Sequence, residues 1–438
     1  MALIKSISGI RGTIGGNVGD NLTAQDIVEC AAAFGHWVKQ KTGNPKIVIG
    51  RDGRISGEIV NQLVVNAIRM VGVDVVDLGL STTPTVEIAV PEEQAGAGII
   101  ITASHNPKQW NALKFLNDKG EFISGQDGSD VLQLIEDKAI DYVGVDSLGS
   151  YEYKDGYIQK HIESVFGLEL VNTEVIKARQ FKVVVDCINS TGSLSVIPML
   201  EQLGCEVIGL NDTPNGEFAH NPEPLADHLI ELSKTVESTR ADLGIAIDPD
   251  VDRLAFVCED GEMFGEEYTL VAIADYILQH KKGNTVSNLS STRALRDVTE
   301  KHGGVYHAAA VGEVNVVTQM KAVNAVIGGE GNDVLNGGAG NDALYGGDGS
   351  DHLEFMANMG NDKADGGAGG GWMDTVELNG FESSAGPGDG WTLSLDKGST
   401  IESSEMDGEL LLSGDASGTI TFDDGGSLDF DNMEKIVW

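Results

Sequence analysis

Ser104 stands in Thr102-Ala103-Ser104-His105-Asn106-Pro107, directly after the apolar run Gly98-Ile99-Ile100-Ile101. A hydroxyl at a strand end, in a loop whose Pro107 restricts the backbone of Asn106, can be presented rigidly to a reacting group. Lys114, ten residues on, supplies a positive charge or a transferable proton. The same string also reads as a Ser/Asn turn capping the next helix. A second loop, Asp248-Pro249-Asp250-Val251-Asp252-Arg253, again follows a buried strand. Its alternating carboxylates offer three hard oxygen ligands along one side of an extended loop, suited to Mg²⁺. Arg253 adds a fork for phosphate or carboxylate. Three carboxylates crowded after an apolar run repel one another unless a cation joins them; the other reading is an acidic surface turn. A third pair, Gly312-Glu313-Val314-Asn315-Val316 and Gly328-Gly329-Glu330-Gly331-Asn332, also follows apolar runs. Alone, each reads as a plain turn.

The elements that hold these loops alternate in type. Lys46-Ile47-Val48-Ile49-Gly50 reads as a buried strand leading into Arg51-Asp52-Gly53-Arg54, after which Ser56 caps a helix to about Met70. Asp74–Asp77 and Gly98–Ile101 are the next strands; Phe181–Asp186 opens a second unit, which Asp242–Asp248 ends. Strands alternating with helices predict α/β layers, whose ligands gather at the carboxyl ends of the strands.

The 438 residues carry 29 Lys+Arg against 68 Asp+Glu, a formal charge of −39. That balance argues against nucleic acid or an anionic membrane as partner, since both need clustered Lys/Arg. No protein partner is evident. The first residues lack the apolar core of a secretory signal, and no stretch approaches the roughly 20 apolar residues of a spanning helix. A cytoplasmic location is therefore expected for the body. Cys30, Cys187, Cys205 and Cys258 follow no metal or disulfide spacing and are expected to be free. Residues 328–438 differ from the rest: 25 of the 57 Gly, 23 acidic residues, 3 Lys and no Arg or Cys.

Taken in order, Ser8-Gly9-Ile10-Arg11-Gly12, Gly50-Arg51-Asp52, the Ser104 loop, the Asp248 loop and Gly328–Asn332 resemble the α-D-phosphohexomutase family over residues 1–331. Asp186–Gly192 and His220–Pro224 also resemble its second-domain loops. The resemblance implies tandem α/β domains over 1–153, 154–255 and a shortened 256–331. It implies phosphoryl transfer between the 1- and 6-positions of a hexose or hexosamine phosphate through phosphoserine at Ser104. A hexose 1,6-bisphosphate would be the phosphorylating activator. Asp248, Asp250 and Asp252, with the Ser104 phosphate, would hold Mg²⁺. Arg11 and Lys114 match basic residues near the transferred group, Lys114 being the proton carrier. Arg253 and His105 would contact the phosphate-bearing substrate, and Glu330 and Asn332 the sugar. The family's fourth-domain loop of type Arg-x-Ser-Gly-Thr-Glu-Pro has no match, since Ser417-Gly418-Thr419 has no Arg before it. The remote phosphate contact supplies much of the positioning, so impaired activity is expected.

From Gly328 the chain repeats every nine residues: Gly328–Asn336, Gly337–Tyr345 and Gly346–Glu354 all fit GGxGxDxUx. These resemble RTX (hemolysin-type) repeats and imply a calcium-binding parallel β-roll over 328–380, with a β-rich flank over 381–438. Two repeats make one turn, so Asp333 pairs with Asp351, 18 residues on. Asp342 wants a partner near position 360, but Asn361-Asp362 is displaced by two. Trp391–Leu395, Glu409–Leu412, Gly418–Phe422 and Ser427–Phe430 are expected to be antiparallel strands capping the roll. Such tails usually accompany type I secretion, the alternative to a cytoplasmic location. A calcium-binding module carrying an inert body is the alternative function.

Overall fold

The computed structural model describes residues 3–6, 9–288, 293–309, 313–329, 334–336, 343–345, 352–356, 361–365, 375–379, 390–405, 409–423 and 425–438. It divides into two units, Met1–Thr269 and Leu270–Trp438.

The apolar runs become strands, and the central ones, β3 and β5, are buried along their length as parallel neighbours require. In the first unit the strands are β1 (Leu3–Ser6), β2 (Gly9–Thr13), β3 (Lys46–Arg51), β4 (Asp74–Leu80), β5 (Ala97–Ile101), β6 (Trp110–Leu116) and β7 (Tyr151–Tyr153). They form one sheet in the order β1-β2-β6-β5-β3-β4-β7. A second sheet holds β8 (Lys182–Asp186), β9 (Glu206–Leu210), β10 (Leu243–Ile247) and β11 (Leu254–Val257), ordered β11-β10-β8-β9. Helices pack on them by their apolar stripes. Gly57–Met70 buries Val60, Val64, Val65, Ala67 and Ile68. Phe34, from the helix Ala24–Lys41, stacks on Phe115 of β6 at 4.0 Å between centroids. Ser56 does precede a helix, but its side chain makes no capping bond; its hydroxyl instead accepts from Asn111 Nδ2 (2.9 Å).

In the second unit, β12 (Asn284–Asn288), β13 (Tyr306–Ala309) and β14 (Ala325–Gly329) are ordered β13-β12-β14. One plan thus recurs three times: β3, β8 and β12 each lie between two parallel neighbours. The Ser104 loop follows β5, the Asp248 loop follows β10, and Glu330 follows β14. These are equivalent strands of the three sheets.

The tail strands are β15 (Val334–Asn336), β16 (Ala343–Tyr345), β17 (His352–Met356), β18 (Asn361–Asp365), β19 (Thr375–Asn379), β20 (Trp391–Leu395), β21 (Ile401–Glu405), β22 (Glu409–Phe422) and β23 (Ser427–Val437). β15 pairs parallel with β17, Val334 opposite His352; β16 pairs parallel with β18, Ala343 opposite Lys363. The segments expected as separate strands at 409–412 and 418–422 are one strand, β22, with register shifts on either side of Ala416. β23 is not only a cap: it runs antiparallel to β22 but parallel to β18 and β19. Leu353, Phe355, Val376, Trp391, Phe430 and Ile436 share one core across both parts.

All four cysteines are free. No helix among the described residues is long and apolar enough to cross a membrane.

Candidate active site

β5 reads Ala-Gly-Ile-Ile-Ile and is buried throughout, so its carboxyl end is a fixed platform. The chain beyond it does not cap a helix; it returns as β6, antiparallel to β5. Ser104 sits in that turn with φ +48°, a conformation sparsely used by residues with a Cβ. Its N–H donates to Thr102 Oγ1 (2.9 Å), and Asn106 N–H donates to the Ala103 carbonyl (3.0 Å). The Ser104 hydroxyl donates to Asp248 Oδ2 (2.9 Å) and lies 3.3 Å from His105 Nδ1.

The acidic loop is equally constrained. Asp248, Asp250 and Asp252 each bring a carboxylate oxygen to a common point, all within 4.8 Å of one another. Asp248 Oδ1 accepts from the backbone N–H groups of Asp252 and Arg253, both at 3.2 Å. Val251, a β-branched residue between Asp250 and Asp252, holds φ +63°. Thr83 donates both its hydroxyl and its N–H to Asp250, the latter to the carbonyl at 2.9 Å. Lys114, on β6, reaches across with Nζ 3.2 Å from Asp250 and 3.2 Å from Asp252.

Charge follows this geometry. Burial pushes Asp248 well above the ordinary carboxylate range, and Asp252 and Asp250 push it further. Burial acts on Asp250 in the same sense, but the Lys114 charge and several hydrogen bonds outweigh it and hold Asp250 below that range. Burial opposes the Lys114 charge, yet Asp250, Asp252 and Asp248 raise it above its usual value, so it is a held cation. His105 is kept neutral by burial first, then by Arg253, Arg11 and Lys114.

Three buried polar atoms in this one place have no hydrogen-bond partner: Asp250 Oδ1, His105 Nε2 and Arg253 Nη1. An orphaned carboxylate oxygen beside two other carboxylates fits a hard divalent cation. An orphaned guanidinium nitrogen fits an anion.

The structure therefore brings Ser104, His105, Lys114, Asp248, Asp250, Asp252 and Arg253 together. Arg11 lies on β2 opposite Ala112 of β6, close enough for its charge to act on His105. Glu330, Asn332, Asp333, Asp342 and Asp351 lie outside the described residues. Asp362 is inside β18 rather than in a turn, with its side chain buried on the same face as Ala364.

Two residues near the site carry no assigned role in the sequence reading. Arg54 is fully buried, pairs with Asp52 (Nε to Oδ2, 3.0 Å), and donates to the carbonyls of Ser104, Asn106, Pro107 (2.8 Å) and Trp110 (3.1 Å). Asp52 also accepts from the Thr102 hydroxyl (2.7 Å). Asp52 stands in the Gly50-Arg51-Asp52 string of the family resemblance, whereas the signal at Arg54 is its place in a charged loop after a buried strand.

The profiles of phosphoglucomutase/phosphomannomutase alpha/beta/alpha domains I, II and III match residues 3–140, 155–261 and 265–361 in that order. A probable phosphoglucosamine mutase of Methanopyrus kandleri is 33% identical over 327 residues, 74% of this chain and 69% of that one. The chain belongs to the phosphoglucomutase/phosphomannomutase family. Another member, a phosphoglucomutase/phosphomannomutase of Thermococcus kodakarensis, is 32% identical over 73% of this chain and 71% of its own. Among solved structures, a phosphoglucomutase/phosphomannomutase family protein from Burkholderia thailandensis superposes with a TM-score of 0.66 at 27% identity, covering 75% of this chain and 70% of its own. A putative phosphomannomutase from Thermus thermophilus has the same TM-score at 23% identity, over 75% and 74% of the two chains, and shares the fold. The Ser104 and Asp248 loops fall within the stretches matched by the family's first and second domains.

Proposed function

We propose that this chain is a phosphohexomutase that moves a phosphoryl group between the 1- and 6-oxygens of a hexose or hexosamine phosphate through phosphoserine at Ser104. The observation that carries the reading is the Ser104 hydroxyl 2.9 Å from Asp248 in a cluster of three carboxylates. Asp248, Asp250 and Asp252 would hold Mg²⁺, which when bound neutralises charge on a transferring phosphoryl group. Ser104 Oγ forms the bond to phosphorus as the bond from phosphorus to the sugar oxygen breaks. Lys114 would carry the proton, giving it to the departing sugar oxygen and taking the Ser104 hydroxyl proton in its place. In the other half-reaction phosphoserine gives its phosphoryl group to the sugar's other oxygen by the same transfers in reverse, the 1,6-bisphosphate lying between the two. Arg253, Arg11 and His105 face the phosphoryl group, and Glu330 and Asn332 are assigned to the sugar. A hexose 1,6-bisphosphate primes the serine. We assign the body to the cytoplasm, with secretion through the tail as the alternative.

The test is intact mass after incubation with glucose 1,6-bisphosphate and Mg²⁺. One phosphoryl group is expected on the parent chain and none on Ser104→Ala or Asp250→Asn. An unchanged parent mass sinks the reading.

A second reading concerns the tail alone: an RTX-type calcium-binding roll. It is supported by parallel pairing of β15 with β17 at an offset of 18 residues, the spacing between Asp333 and Asp351. β16 and β18 are offset by 20, the spacing between Asp342 and Asp362. Calcium would sit at Asp333, Asp342 and Asp351, not at Asp362, which is buried inside β18.

A further inference from the structure

The nucleophile and the carboxylates come from different sheets, so something must hold β5's loop in register with β10's loop. The direct contacts between them are the hydrogen bond of Ser104 to Asp248 and the ion pairs of Lys114. Both involve groups that must change partners once metal and phosphate arrive. A second connection, made wholly of buried groups outside the reaction, runs beneath them. The Ser190 hydroxyl accepts from Gly53 N–H (3.0 Å) and donates to the carbonyl of Pro249 (2.6 Å), between Asp248 and Asp250. Thr191 donates to the same carbonyl (2.8 Å). Gly53 is followed by Arg54, whose fork holds four carbonyls of the serine loop. The approach is close: a Cβ on Gly53 would stand 3.0 Å from both Cα and Oγ of Ser190. Ser190 is itself fully buried.

We propose that Ser190 is a positioning residue, which with Gly53 and Arg54 forms a bridge setting the serine loop against the acidic loop. The chain of contacts is continuous: serine-loop carbonyls to Arg54, along one peptide to Gly53 N–H, to Ser190 Oγ, to Pro249. Removing the Ser190 hydroxyl leaves Gly53 N–H without its partner and frees one side of the Pro249 peptide. Both carboxylates flanking that peptide then lose their fixed spacing. Groups that orient metal ligands from behind are worth about 10–100-fold in metal affinity, and a misplacement of about 1 Å costs about 100-fold in rate.

The proposal rests on the phosphohexomutase reading for its kinetic part only. The experiment compares the full-length chain with Ser190→Ala, Arg54→Lys and the double variant by two readouts. The first is the Mg²⁺ concentration giving half of the Mg²⁺-dependent thermal shift. The second is the initial rate of Ser104 phosphorylation by glucose 1,6-bisphosphate at saturating Mg²⁺. Ser190→Ala is expected to raise the Mg²⁺ midpoint about tenfold and to slow phosphorylation by at least that factor. The bisphosphate half-saturation should stay unchanged. The double variant should be no worse than the worse single one, because both changes cut one bridge. A Ser190→Ala chain that melts lower but keeps the parent's Mg²⁺ midpoint and rate overturns the proposal, as does additivity. If Ser190→Ala does not fold, Gly53→Ala, which wedges the same contact, is read by the same two measures. If the parent takes no phosphoryl group, the function reading fails and the Mg²⁺ midpoint alone decides the bridge.

Discussion

Ser104 in the serine loop and Val251 in the acidic loop are both residues with side chains held at positive φ, +48° and +63°. One presents the hydroxyl; the other separates Asp250 from Asp252. Backbone in this region costs a residue with a Cβ of order 1–3 kcal/mol and persists only where the surroundings impose it. Here the surroundings are the Arg54 fork under Ser104 and the bonds that Asp248 and Thr83 make within the acidic loop.

Position 104 should therefore trade stability for chemistry. Ser104→Ala and Ser104→Gly both lose phosphoryl uptake, but the glycine variant alone relieves the backbone. It should be more stable than the alanine variant by about 1 kcal/mol, read as a difference in denaturation midpoint. Equal midpoints would mean that the turn is not strained.

Lys114 neutralises part of the charge on Asp250 and Asp252. Lys114→Met should make the cluster more negative, so Mg²⁺ binds at several-fold lower concentration in a thermal-shift titration. Phosphoryl transfer should nevertheless fall by about 10²–10⁴, the range for loss of a proton donor. A raised Mg²⁺ midpoint together with slower transfer would instead identify Lys114 as a prop for the loop.

Glu93 gives a pH dependence away from the site. Burial works to raise its carboxyl, but Lys154 (2.8 Å) and Tyr157 hold it below its ordinary value. A depressed folded pKa means the contribution is complete above the unfolded value, about 4.3, and is lost as pH falls through the folded one. Glu93→Gln should flatten the melting temperature between about pH 5 and pH 3 relative to the parent. An unchanged acid slope refutes the assignment.

Calcium is expected to act on the tail at about 10⁻⁴–10⁻³ M, as in extracellular modules. Glycine-rich turns lose much backbone entropy on ordering, and the tail's excess of acidic residues opposes compaction. Binding free energy then becomes ordering free energy. Circular dichroism of the full chain should gain β signal as calcium replaces chelator. Asp351→Ala should shift that midpoint upward while leaving Ser104 phosphorylation unchanged. A spectrum identical from chelator to millimolar calcium refutes the calcium reading.

The loops of the candidate site were readable because each ends an apolar run: Ile99–Ile101 before Ser104, Ile245–Ile247 before Asp248. β6 was not, since Trp110–Leu116 carries Asn111 and Lys114 among its apolar residues, and those polar groups serve Ser56 and the carboxylates. Arg54 was invisible for a different reason. A charged residue in a loop reads as solvated, and its burial is stabilised by carbonyls about fifty positions away in sequence. In the tail, Ser413–Ser417 looks like a break between strands, but the chain passes through it by shifts of register.

Only residues 330–333 separate β14 from β15. Those four positions contain Glu330 and Asn332, proposed to meet the sugar, and Asp333, proposed to meet calcium. A link of that length spans at most about 17 Å between its anchors, so calcium held at Asp333 would act within a few residues of the proposed sugar contacts. One short tether would thus answer to two ligands, making hexose phosphate affinity a reporter of the calcium state of the tail.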